Sequence, residues 1–250
     1  MPVAHSLRFY RLCRFISFAL VLTSVPLLNL DAQNANSSTP ARQTATSLDA
    51  VLSQMDTAAA KFRNAQADFK AETYQKVVNE TDTQTGKIYF RRTGKGDTQM
   101  ASQFEPPDER YVIYADGRFR VYQPKIDQVN EYDAGKNRSE IESFMLLGFG
   151  GRGHDLQQQF EVQFGGNEEL DGIKTAKLEL VPKAPKVKNM FDRIVIWADP
   201  TRAISLKQQF FEPSGDYRIT HYSNIKVNTK IPDDVFKLHT TGHTKTVKGT

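Results

Sequence analysis

The stretch Glu212–Val247, EPSGDYRITHYSNIKVNTKIPDDVFKLHTTGHTKTV, sets the architecture of this chain. It opens with the turn signal Pro-Ser-Gly-Asp, after which apolar residues recur with the period of two that a β-strand imposes, at Tyr217, Ile219, Ile225 and Val227. A link containing Asn228 and Ile231-Pro232 follows, and a last strand is predicted to end at Phe236. This end of the chain therefore closes a β-sheet.

The same alternation of apolar and polar residues recurs earlier, within residues 67–72, 87–91, 160–164 and 176–180. Turn signals such as Asp116-Gly117 separate these runs at the spacing of hairpins. The sequence shows no crossover helices between them, and parallel strands would need such connections. The predicted sheet is therefore antiparallel.

Two helices accompany the sheet. Ser47 is predicted as the N-cap of the first, and an apolar stripe follows at helical spacing, comprising Leu48, Val51, Leu52, Met55, Ala59 and Phe62. The second is short: Ser139 and Glu142 fit a capping box, and the residues behind them are apolar on nearly every side. This segment is expected to be wholly buried or to lie against a hydrophobic cavity, and the glycines that follow it would let it move as a flap.

Residues 47–239 are long enough for one α+β domain, preceded by a disordered lead-in at 33–46 and followed by a polar tail at 240–250. So long a sheet must curl or close, which predicts a curved antiparallel sheet, an incomplete barrel closed by helices over a hydrophobic cavity. Ten apolar strand positions could line this cavity: Phe90, Met100, Tyr111, Ile113, Phe119, Leu178, Leu180, Ile194, Ile196 and Phe210. For any one of them, the alternative is that it packs against the first helix.

The first residues resemble an export signal. Three arginines, Arg8, Arg11 and Arg14, precede an apolar core at 15–30 that is shorter than the ~20 residues of a membrane-spanning helix. Residues 1–32 are therefore predicted to be a signal peptide cleaved near Ala32, with an uncleaved anchor as the alternative. The single cysteine, Cys13, lies in this leader, so the mature chain would have no disulfide, catalytic thiolate or cysteine-bound zinc.

Several classes of function are not expected. Without residues 1–32 the chain has 30 basic and 28 acidic residues and no basic stripe with aromatic residues, so nucleic acid is not an expected partner. The glycine-rich run 148–153 does not follow a strand and open a helix as a phosphate loop does. His221 is predicted to be a core or cavity residue. No catalytic residue, metal or cofactor is predicted, and a hydrolase is the minor alternative.

Four segments, in order, carry a resemblance to a known family. They are GKIYFRR at 86–92, the hairpin at 111–129 with Asp116-Gly117, FMLL at 144–147, and the closing stretch from Gly215 to Phe236. Together they resemble the LolA-like carriers of outer-membrane lipoproteins in the periplasm. Two departures, Thr93 and Thr241-Gly242 where that family has proline and Pro-Gly, leave the identity of the cargo open.

The resemblance implies a periplasmic, non-enzymatic monomer whose cavity shields acyl chains. By this resemblance, Arg92 would hold a lid closed through hydrogen bonds to the backbone of the lid. The alternative is that Arg92 is a solvent-facing charge at the end of a strand. The expected partners are acylated lipoproteins as cargo, an inner-membrane release complex and an outer-membrane acceptor, with transient membrane contacts. A carrier of phospholipid or glycolipid is an alternative, as is a sensor of mislocalised lipoproteins, although a sensor would normally bring a second domain. The lid, here called the lid segment (residues 144–149), comprises Phe144, Met145, Leu146, Leu147 and Phe149.

Overall fold

The computed structural model describes residues 40–94, 97–135 and 138–249, and the predicted signal peptide lies outside them. No helix in these ranges is both long enough and apolar enough to cross a bilayer. The helices are α1 (Pro40–Lys61), α2 (Arg138–Met145), α3 (Gly153–Gln159) and α4 (Pro185–Lys188). The strands are β1 (Asn64–Gln75), β2 (Glu80–Arg92), β3 (Thr98–Phe104), β4 (Arg110–Ala115), β5 (Arg118–Gln123), β6 (Gln128–Asp133), β7 (Phe160–Leu170), β8 (Ile173–Pro182), β9 (Arg193–Asp199), β10 (Ile204–Phe211), β11 (Tyr217–Val227) and β12 (Lys245–Gly249).

All twelve strands form one sheet, in the order β12-β6-β5-β4-β3-β2-β1-β11-β10-β9-β8-β7. Every neighbouring pair is antiparallel except β12 and β6, which are parallel. Because β1 pairs with β11, the first and last long strands lie side by side in the middle of the sheet. The predicted α+β class, with an open antiparallel sheet forming an incomplete barrel, is confirmed.

Two hydrophobic clusters lie on the concave face of the sheet. In the first, Leu52 and Met55 of α1 pack against β8 and β9, where Leu178, Leu180, Ile194 and Ile196 are fully buried. The second surrounds Phe62, just after α1, and includes Phe69 and Phe90. The amphipathic stripe predicted for the first helix therefore covers the middle and one side of this face.

The opposite, convex face is covered in part by the C-terminal segment. Phe236 packs there against Ala101 of β3 and Ile113 of β4. Asn228 fixes where this segment begins: its side chain accepts a hydrogen bond from Arg63 N (2.7 Å) and donates one to Lys61 O (3.0 Å). The amide thus satisfies backbone groups where α1 ends and β1 begins.

Several local predictions were wrong. Helix α1 begins at Pro40, so Ser47 lies inside it instead of capping it, and residues 40–46 are helical. Ser139 likewise lies within α2, while Glu142 accepts hydrogen bonds from Tyr114 and Arg138. The predicted last strand is a 3-10 helix, Asp233–Phe236, and the polar tail contributes β12, since threonine and lysine suit a solvated edge strand.

Candidate functional site

The lid segment crosses the concave face and is bonded to β10 by its backbone. Phe149 forms an isolated antiparallel bridge with Ile204. On either side of it, Ser205 N donates to Gly148 O at 2.6 Å and Gly150 N donates to Ala203 O at 2.7 Å. Gly148 has a φ of +88°, and a Cβ there would lie 2.3 Å from Ser205 Oγ, so only glycine permits this close approach.

Arg92, the last residue of β2, joins the lid segment to two other elements. Its Nη2 donates to Gly150 O at 2.6 Å, directly after the lid segment, and its Nη1 donates to Ala59 O at 3.3 Å, near the end of α1. The guanidinium carbon lies 5.8 Å from the centre of the Phe62 ring. A rigid, permanently charged fork can make these bonds at once, whereas a lysine ammonium would reach only as a point charge.

A second polar contact holds the lid segment from the opposite side. Gln208 of β10 is buried; its Nε2 donates to Leu147 O at 2.5 Å, and its Oε1 accepts from the Tyr222 hydroxyl at 3.2 Å. Burial raises the pKa of Tyr222, so the hydroxyl keeps its proton and remains a donor. Gln208 was not predicted as a site residue from the sequence. The available signal was a glutamine on the same face of β10 as Phe210, where an apolar residue would be expected.

The apolar side chains of the lid segment fill the concave face. Phe149 stacks on Phe90 with ring centres 4.4 Å apart and meets Tyr222 edge-on at 4.9 Å. Leu147 is buried in the cluster with α1, β8 and β9. Phe144 lies 5.9 Å from Phe191, ring centre to ring centre, within a group of aromatic side chains that also includes Phe160 and Phe210.

The structure divides the predicted cavity residues between the two faces. Those on the concave face are Phe90, Met100, Phe119, Leu178, Leu180, Ile194, Ile196 and Phe210. Ile113 is buried on the convex face beneath Phe236, and Tyr111, two residues earlier on β4, shares that face; neither can line the concave side. His221 is likewise exposed on the convex face, where it pairs with Lys70, and is not a cavity residue.

A small pocket borders the lid segment. A pocket of about 120 Å³ lies beside Arg92, with Leu146, Leu156 and Phe160 among its walls. Pockets for small-molecule ligands usually measure roughly 300–1,000 Å³. Because Leu147 and Phe149 pack in the two clusters of the concave face, an acyl chain would need the lid segment to move away before it could take their place. Another depression, about 460 Å³, lies on the convex face and is lined largely by polar side chains, including Asp68 and Lys87.

An ionic junction connects α3, which follows the lid segment, to α1. His154 Nδ1 lies 2.6 Å from Asp56 Oδ2, and His154 Nε2 lies 3.2 Å from Asp49 Oδ1. Hydrogen bonds to these carboxylates raise the pKa of His154. Burial alone would raise the pKa of Asp56, but the hydrogen bonds from His154 outweigh it and the pKa is lowered. Both shifts favour the charged form of the group concerned.

A match over most of the chain identifies its family. The family model of the outer membrane lipoprotein carrier protein LolA matches residues 60–239. The chain belongs to the LolA family. This match includes Arg92, the lid segment and strands β1 to β11.

Other similarities agree at the level of the fold. An uncharacterised protein of Methanocaldococcus jannaschii is 23% identical over 191 residues, which cover 76% of this chain and 50% of that protein; the chain thus spans half the length of this relative. A crystal structure of an uncharacterised conserved protein from Thermus thermophilus superposes with a TM-score of 0.52 at 11% identity, covering 81% of this chain and 99% of the other. The crystal structure of MucB superposes with a TM-score of 0.52 at 12% identity, covering 78% of this chain and 63% of MucB.

Proposed function

We propose that this LolA family member carries acylated lipoproteins through the periplasm, from the inner to the outer membrane, with their acyl chains in the space that the lid segment now fills. The observation that carries the proposal is the lid itself. Its apolar side chains occupy the concave face, yet polar groups at its edges, Arg92 and Gln208, hold it in place. These directional bonds fix one position of the segment, whereas its apolar contacts could be exchanged for those of an acyl chain.

The free energy lost when the lid side chains leave the concave face is similar in size to the free energy gained when an acyl chain is buried there. Fully burying a large apolar side chain contributes about 1.5–3 kcal/mol, so withdrawing Leu147 and Phe149 costs roughly 3–6 kcal/mol. Each CH₂ group of a bound chain contributes about 0.8 kcal/mol. Roughly four to eight methylenes would therefore offset the loss of these two apolar contacts, and a long acyl chain has further methylenes to offset the polar bonds of the lid. Cargo can open the lid, and the lid in turn lowers the cost of emptying the site.

Arg92 and Gln208 would set the closed position. Their bonds reach the backbone of the lid segment and of Gly150, so they form only when the lid is seated. In this scheme an open lid holds the cargo, and closure completes release at the acceptor. No bond of the cargo is made or broken, so the protein acts as a carrier without catalysis.

The test is native mass spectrometry of the mature protein purified gently from its own periplasm. Co-purified acylated peptide or lipoprotein would support the proposal. A phospholipid or glycolipid adduct would assign the same cavity to another lipid. Preparations that never hold an acylated molecule, even with cargo in excess, would contradict it.

A disulfide across the bridge of the lid segment supplies a matched control. Facing residues of an antiparallel bridge have Cα atoms about 4.5–5.5 Å apart, within the range of a disulfide, so Phe149→Cys with Ile204→Cys should close the lid covalently. We expect the oxidised variant to exclude a fluorescent fatty acid and the reduced variant to bind it. The reduced form is the control because it carries the same substitutions. Equal binding by both forms would show that cargo does not enter under the lid.

A further inference from the structure

Exposed apolar side chains are concentrated at one end of the sheet. Among the described residues, the large hydrophobic side chains left exposed are Val77, Val78, Ile126 and Met190, at 65, 50, 60 and 51% exposure. They belong to three connections: the β1–β2 turn, the 3-10 turn between β5 and β6, and the loop between β8 and β9. Turns usually present Gly, Pro, Asn, Asp or Ser to water, whereas these four positions present large apolar side chains.

The strand registers place all three connections at the same end. Antiparallel neighbours alternate in direction, so the turns that follow β1 and β5 lie together at one end of the sheet. Tyr74 near the end of β1 pairs with Tyr217, Tyr217 pairs with Phe211, and Phe211 pairs with Arg193 at the start of β9. The loop before β9 therefore belongs to this end too. We name it the apolar rim, residues 76–79, 124–127 and 183–192.

The part of the rim next to the lid segment is also basic. Residues 183–193, KAPKVKNMFDR, contain four basic residues and one acidic residue, in a chain whose net charge over all 250 residues is only +4. Lys186 and Lys188 are exposed, and the described residues offer neither an ion-pair partner. Two free ammonium groups thus flank an exposed methionine, an arrangement that suits a surface with negative charges above an apolar layer.

The inner side of this loop contacts the lid. Phe191, adjacent to the exposed Met190, packs 5.9 Å from Phe144 of the lid segment and 5.3 Å from Phe210, between ring centres. A surface that binds Met190 would therefore act one residue away from a lid contact. The basic part of the rim is therefore adjacent to the Phe144 end of the lid segment.

We propose that the apolar rim docks on a bilayer surface of anionic phospholipids, with Met190, Val77 and Val78 at the boundary between headgroups and acyl chains and with Lys186 and Lys188 on the phosphates. This inference rests on the proposed carrier function, because docking would place the lid segment where an acyl chain enters or leaves the membrane. Half-exposed side chains and two lysines give weak, reversible binding, as a shuttle requires.

Flotation of the mature protein with vesicles tests the docking. Vesicles of phosphatidylglycerol and phosphatidylethanolamine supply the anionic surface, and phosphatidylcholine vesicles supply the neutral one. Lys186→Ala with Lys188→Ala should weaken binding to anionic vesicles roughly 30-fold, because each lysine near such a surface is worth about a factor of five. Met190→Ser with Val77→Ser should weaken it by at least about tenfold.

The matched control is Lys226→Ala with Lys230→Ala, which removes the same charge from exposed positions near the opposite end of the sheet. It should bind anionic vesicles like the unaltered protein. If this control loses as much vesicle binding as the Lys186 and Lys188 variant, the loss is due to net charge alone and the proposal is overturned. Binding of a fluorescent fatty acid in the absence of vesicles is measured alongside. If the fatty acid binds but no vesicle does, docking fails while the carrier proposal stands, and a protein surface becomes the partner of the rim.

Discussion

Replacing Arg92 by leucine should release the lid without unfolding the domain. The closed state would lose the bond from Nη2 to Gly150 O (2.6 Å) and the longer bond from Nη1 to Ala59 O (3.3 Å). A hydrogen bond to a charged group contributes about 1.5–3 kcal/mol, and the Gly150 carbonyl is buried. Counting only the shorter bond, the lid equilibrium should shift towards the open state by a factor of roughly 10–150.

This shift should appear directly in the affinity for lipid. When the competent state is a minor one, the apparent dissociation constant falls in proportion to the gain in its population. We therefore expect Arg92→Leu to bind a fluorescent long-chain fatty acid roughly 10–150-fold more tightly and to retain it longer during transfer to acceptor vesicles. Urea unfolding monitored by circular dichroism would show that the variant remains folded.

Arg91→Leu is the matched control, since it removes the same side chain from the adjacent position on the other face of β2. Arg91 pairs with Asp233, donates to Gln99 at 2.6 Å and lies 4.1 Å from the centre of the Phe236 ring, far from the lid segment. Its loss should lower stability and leave the lipid affinity unchanged. The reasoning is refuted if Arg92→Leu binds the fatty acid no more tightly than Arg91→Leu does.

Two further predictions concern other contacts. Asp127 accepts hydrogen bonds from Thr241 and Thr244 at 2.6 Å each, so Asp127→Ala should abolish amide-exchange protection in β12 without changing lipid affinity; retained protection would contradict this role. The pKa of His154 is raised, so its contribution to stability is complete below the unfolded pKa of about 6.5 and is lost as the pH rises through the folded pKa. The stability that His154 adds over His154→Phe should therefore shrink as the pH rises above about 6.5, measured as the difference between the unfolding free energies of the two proteins; a difference that does not change with pH would locate the effect elsewhere.

Much of the fold could be read from local patterns, while the contacts of the lid could not. Alternation along β1, β2, β7, β8 and β11 and the stripe from Leu48 to Phe62 depend on near neighbours in sequence, so the antiparallel sheet and the first helix were predictable. Which face an apolar strand residue occupies depends on distant elements: Ile113 alternates like a cavity residue, but Phe236, from the far C-terminal segment, covers it. The ends of elements were missed for a similar reason. Ser47 is a good N-cap residue, yet the helix continues to Pro40.

The two kinds of contact on the lid segment constrain how it must open. An acyl chain can replace the apolar contacts of Leu147 and Phe149, because such contacts lack direction and need only excluded water. An acyl chain cannot replace the donors that Arg92 supplies to Gly150 O and Gln208 supplies to Leu147 O. A buried carbonyl left without a donor costs about 1–3 kcal/mol. A lid that merely slid aside beneath a lipid would leave those carbonyls unpaired. In the proposed carrier cycle the lid must instead swing out far enough for water to reach its backbone, so we expect opening to increase amide exchange across residues 147–150 as a unit.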